Sequence, residues 1–237
     1  MSSSPQSSMS PLIATPAFLT TLTALFPANS TLPNPALWVA GIVFAAHSLP
    51  SEVAEVYTHA VNSTTCAEEK KNTTRVFREA LFKTGNLYGA PRMINSLLEV
   101  RKTMDVVGVP DEAGYRDHDM PVEKLNEAGV KMFNHTYGEG AADTRELLRG
   151  VHPDFDYFMM SLIYGPINAF LGVIDAAQTS IAMIAALIAI EAPLQVGWHE
   201  AGAIRNGASK EDVEAVKQIA EKCLMRIKEA KGEKMKS

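Results

Sequence analysis

Apolar residues in this chain recur three and four positions apart from Pro35 onward, and period-two runs flanked by Asn-Gly or Asp-Gly are missing. That spacing puts one greasy stripe along a helix and gives a sheet little support, so the fold class is all-α. Glu52 to Tyr57, Arg75 to Lys83, Ile94 to Met104 and Thr179 to Glu191 are built from good helix formers. The last helix is the most sharply defined. Ser209 is a good N-cap with Asp212 three residues on, and Val213, Val216, Ala220, Cys223, Leu224 and Ile227 form its apolar stripe.

Two stretches read as weak copies of each other. Ala45-Ala46-His47-Ser48-Leu49-Pro50-Ser51-Glu52-Val53-Ala54 lies over Ile188-Ala189-Ile190-Glu191-Ala192-Pro193-Leu194-Gln195-Val196-Gly197. Each is a helix, a proline turn and a second helix, with Pro supplying a fitting φ where no N–H is needed. The expected organisation is a Ser- and Pro-rich disordered tail over 1–16, a helical repeat over 17–107, a polar connector over 108–150 and a second repeat over 151–237. The connector is charged and holds six glycines between Gly108 and Gly150, with short helices expected at Val122–Ala128 and Asp143–Arg149.

Composition narrows function by exclusion. A net charge of -5 argues against a nucleic-acid partner and against a polybasic membrane binder. The apolar runs Leu37–Ala46 and Ile181–Ile190 are too short to span a bilayer. Residues 1–51 carry no charged side chain, so neither a secretory signal nor a mitochondrial transit peptide fits, and the ending is not Ser-Lys-Leu. Cytoplasm is the expected compartment. Two distant cysteines, Cys66 and Cys223, rule out a disulfide scaffold and a Cys-rich zinc site. The remaining histidines lack ligand spacing, so no metal is expected.

The most specific stretch runs from Thr179 to Val213. Small residues Ala201, Gly202 and Ala203 follow Trp198 and His199, and Asn206-Gly207 ends the helix. The pattern His199-x-x-Gly202-Ala203-x-x-x-Gly207-Ala208-Ser209-x-Glu211 resembles the signature of the carboxymuconolactone decarboxylase and alkylhydroperoxidase D-like superfamily. A second similarity, out of order, runs from Arg78-Glu79-Ala80-Leu81 through Gly89-Ala90-Pro91-Arg92, and Tyr164-Gly165 is similar to the aromatic-Gly pair of the decarboxylase branch. The positions of the peroxidase Cys-x-x-Cys are Ala192 and Gln195, and the upstream acid position is Ser180. Thiol peroxidase chemistry by that route is therefore excluded, and the decarboxylase branch is the closer relative.

The resemblance implies two such helical repeats, a homo-oligomer, no cofactor, and a lyase acting on a small carboxylated lactone or oxo-acid. His199 would be the acid/base, against the alternative of a buried histidine bonded to backbone. Arg92 would clamp the substrate carboxylate, or form a salt bridge. Ser180 is a pocket hydroxyl or a back-bonded core serine, and Tyr164 lines the pocket or packs. A catalytically silent helical oligomer is the competing reading.

Overall fold

The computed structural model describes residues 12–110 and 112–232. The fold is all-α, with no strand among the described residues. Helices α1 (Pro16–Thr23), α2 (Ala36–Ala46), α3 (Pro50–Asn62), α4 (Ala67–Tyr88) and α5 (Ala90–Val107) precede α6 (Val122–Tyr137). Then come α7 (Ala141–Val151), α8 (Phe155–Phe158), a π-helical segment (Met159–Asn168), α9 (Ala176–Ala189), α10 (Pro193–Arg205) and α11 (Lys210–Ala230).

The core is organised around α2 and α9, which touch each other and are buried along most of their lengths. Neither presents a polar face, as expected of a helix surrounded by other helices. Each packs against both α4 and α11, so the two three-helix units α2–α4 and α9–α11 exchange their third helices across the core. The units keep one register, with Ser48 and Glu191, Pro50 and Pro193, and Ala67 and Lys210 all 143 positions apart.

Their turns share one geometry. Ser48 and Glu191 are left-handed with φ of 58° and 57°. The N–H of Leu49 donates to Phe44 O at 3.0 Å, and that of Ala192 donates to Leu187 O at 2.9 Å. Both turns end the first helix with a left-handed residue and let Pro open the second. His47, beside the first turn, bonds through Nε2 to the Ala189 carbonyl at 3.1 Å and ties the two helix ends together.

Two boundaries differ from the sequence reading. Residues 1–11 of the expected tail lie outside the described residues, but the chain is ordered by Ile13 and Ala14, whose N–H groups donate to Glu52 Oε2 at 3.1 and 2.7 Å. Thr15 then caps α1.

The stretch read as a polar connector is helical over most of its length. Instead of a helix ending at Ala128, α6 runs on to Tyr137 and builds a second core with the π segment from Met132, Phe133, Met160 and Tyr164. Gly129, just past the expected helix end, does not break α6 but is a point of close approach. A Cβ on Gly129 would sit 2.0 Å from Met160 O, and one on Gly165 would sit 2.2 Å from Leu125 O. Pro166 has no N–H to give the helical ladder, and the chain widens to a π turn that closes from Ala169 N to Tyr164 O at 2.7 Å.

Candidate functional site

His199 projects from α10 toward the end of α6. The helices can meet there because residue 202 is glycine: a Cβ would lie 2.7 Å from Thr136 Cγ2. Tyr137 consequently stands edge-on to His199, with ring centroids 5.9 Å apart, and to the half-buried Trp198 at 6.2 Å. Phe133 stacks on Tyr137 at 4.1 Å, and Tyr164 meets Phe133 edge-on at 4.9 Å. The Tyr164 hydroxyl donates to that of Tyr137 across a long 3.5 Å. Tyr137 thus covers the imidazole on the α6 side, with Phe133 and Tyr164 packed behind it.

The electrostatics follow from that cover. His199 is 7% exposed, and burial lowers its pKa to about 4. Near neutral pH only about one molecule in a thousand carries the imidazolium. Nδ1 is fully buried and has no hydrogen-bond partner among the described residues. Burial likewise pushes both Tyr137 and Tyr164 above the usual phenol range, so both keep their protons. The site therefore offers a neutral imidazole and two neutral phenols.

Ser180 and Tyr164 both reach the α6–α10 contact; Arg92 does not. Ser180 is buried on α9, and its Oγ accepts from Asn206 Nδ2 at 2.7 Å instead of bonding back along its own helix. Asn206 also donates to Thr136 Oγ1 at 3.2 Å, and Arg205 donates to Thr136 O through Nε at 2.9 Å and Nη2 at 2.6 Å. Arg92 is exposed at the start of α5, where Nη1 donates to Ala46 O at 2.9 Å and caps α2. Glu200 turns away and pairs with Lys217 at 2.9 Å. Cys223 is a packing residue whose thiol burial holds in its protonated form. Among the described residues no group of His, Cys, Asp and Glu is gathered to hold a metal ion.

A second polar cluster went unnoticed in the sequence. Lys83 is wholly buried and donates to Thr179 Oγ1 at 2.8 Å, Phe170 O at 2.6 Å and Asn168 O at 3.3 Å, joining α4 to the end of the π segment and to α9. One turn earlier, Glu79 receives a two-pronged contact from Arg116 at 2.5 and 3.2 Å. The spacing of Glu79 and Lys83 was the available signal, but on a helix with charged residues on both sides it reads as an exposed i,i+4 pair.

No family model matches the chain. Two curated relatives do. One is "Peroxisomal protein 2" of Saccharomyces cerevisiae, 30% identical over 173 residues, covering 64% of this chain and 61% of the relative. The other is "Peroxisomal protein 2" of Schizosaccharomyces pombe, 33% identical over 144 residues, covering 60% of this chain and 66% of the relative. The chain thus spans a little under two thirds of either. Their shared name overturns two expectations: a lyase decarboxylating a carboxylated lactone or oxo-acid, and a cytoplasmic location. The geometry gives the physical reason for the first: a histidine that is neutral near pH 7 is a poor source of the proton such a carbanion needs, and Arg92 caps a helix away from it. No helix among the described residues is long and apolar enough to cross a membrane.

Proposed function

We propose that this chain is a peroxisomal protein that binds a small molecule through His199. The compartment rests on the name shared by the two relatives. The binding site rests on one observation: Nδ1 of His199 is sealed from solvent with no partner among the described residues. A buried polar atom left unpaired costs about 1–3 kcal/mol, and a ligand that hydrogen-bonds to it recovers that cost. The neutral imidazole can accept a hydrogen bond from a ligand hydroxyl, thiol or amide, with the Tyr137 phenol beside it. Helical repeats of the alkylhydroperoxidase D-like type are part of this reading, supported by the His199-to-Glu211 motif and the shared turn geometry of the two units.

Self-association belongs to the same proposal. Leu147, Val151, Phe155, Phe158 and Leu162 are exposed along α7, α8 and the π segment, an apolar surface of the kind subunit contacts cover.

The compartment is tested by fluorescent fusions at either end of the chain, expressed beside a peroxisomal marker; diffuse signal from both refutes it. The site is tested by incubating wild type and His199→Phe with peroxisomal extract and identifying small molecules that co-purify. A compound retained by wild type and lost from the variant supports the reading. Identical profiles refute it. Light scattering reads the subunit count, and a monomer at micromolar concentration ends the oligomer proposal.

A further inference from the structure

A cavity of about 370 Å³ lies between the strap 116–120 and the hairpin of α6 with the π segment. Met120, Leu125, Ala128, Ala169 and Phe170 make most of its wall, and Arg116, Asp117 and His118 supply its polar part. Its size is in the range of small-molecule sites, with room for roughly a dozen heavy atoms at about 30 Å³ each.

Of the polar part, Arg116 is fixed in place. The Arg116 guanidinium lies between the Phe82 and Phe170 rings, 4.9 and 4.4 Å from their centroids. Its Nε donates to Pro166 O at 2.7 Å, Nη2 donates to Glu79 and to Ile167 O, and Nη1 donates to Glu79. Four of five N–H groups are thereby used, and the second on Nη1 has no acceptor among the described residues. Arg116 is thus a rigid group with one hydrogen bond left to give. Its charge is already answered by Glu79, and the exposed Asp117 carboxylate stands at the same wall. An anionic head would meet a site with no net positive charge to offset its lost hydration. An uncharged oxygen loses far less.

The geometry points to a binding site for a neutral medium-chain hydrocarbon with one oxygen acceptor, such as a ketone or alcohol, its oxygen on Arg116 and its chain along Met120, Leu125 and Ala128. The site is separate from His199 and does not depend on the reading given above.

Nonan-2-one and nonanoate are the probes, titrated calorimetrically into the full chain at pH 8. The ketone should bind at least tenfold more tightly than the carboxylate. Ala128→Trp, which fills the cavity from α6, should weaken ketone binding at least tenfold with an unchanged far-ultraviolet spectrum. Ala169→Leu fills it from the other side and serves if the first variant does not fold. His199→Phe should leave ketone binding as it is. Comparable affinity for nonanoate, no binding of the ketone up to 1 mM, or full binding by both filled variants would overturn the assignment.

Discussion

Replacing Lys83 with methionine should change how stability depends on pH more than stability itself. Lysine ordinarily releases its proton near 10.5, whereas Lys83 releases it at about 7. Burial is the main cause, Glu79 and Asp175 oppose it, and Arg116 adds to it. Between those two values the unfolded chain holds a proton at this position that the folded chain has lost. Stability therefore rises with pH across the window, and below pH 7 the full penalty for a buried ammonium is present, on the order of 5 kcal/mol. From pH 7 to pH 9 the gain is about 2 kcal/mol, because half of the folded molecules are still protonated at the start.

Methionine fills a similar volume without a charge, and this contribution vanishes. It also strips donors from Thr179 Oγ1 and the carbonyls of Asn168 and Phe170, at about 1 kcal/mol or more each, so the two proteins should be close in stability at pH 7. Urea unfolding followed by circular dichroism at pH 7, 8 and 9 measures the difference between them, and groups common to both cancel. A difference that stays constant within about 0.5 kcal/mol across that range would refute the reasoning.

Three further outcomes are expected. His199→Phe should remove an acid sensitivity: the folded imidazole titrates at about 4 instead of 6.5, so wild-type stability falls as pH drops from 6.5 toward 4, by about 3 kcal/mol, and unfolding curves of the variant should lack that share. Gly129→Ala drives a methyl to 2.0 Å from Met160 O and should cost about 3 kcal/mol or more by thermal or urea unfolding, since backbone has to move. Ser48→Gly relieves a left-handed non-glycine residue worth about 1–2 kcal/mol but loosens the unfolded chain by nearly as much, so its midpoint should stay equal or rise slightly.

What could be read from the sequence was mainly local. The left-handed Gly207, with φ of 108°, the Ser209–Asp212 capping box and the apolar stripe of α11 each depend on residues within a few positions of one another. The paired proline turns were legible for the same reason, because an apolar helix running into Pro leaves a short signature, whereas the left-handed φ of Ser48 and Glu191 was not, since neither is glycine. Nor was the aromatic cover. Phe133 and Tyr137 lie beyond Gly129, and glycine reads as a breaker until the backbone it must approach is known. Arg92 looked free for a substrate because its true acceptor, Ala46 O, is a main-chain atom that no side-chain pattern announces.

The two units also bear on why residue 199 is a histidine. Its counterpart 143 positions earlier is Val56, wholly buried in the equivalent turn of α3. An apolar side chain therefore fills the corresponding position in the first unit, so packing alone does not call for an imidazole in the second. The imidazole also brings a sealed nitrogen without a partner among the described residues, which lowers stability, and a pKa far below its ordinary value, which adds a cost once pH falls below about 6.5. The units differ in what covers the slot: α5 packs on α3, whereas the aromatic face of α6 lies on α10. A residue that costs stability where valine would serve, beneath the one aromatic cover of the pair, fits a role in binding better than a role in holding the helices together.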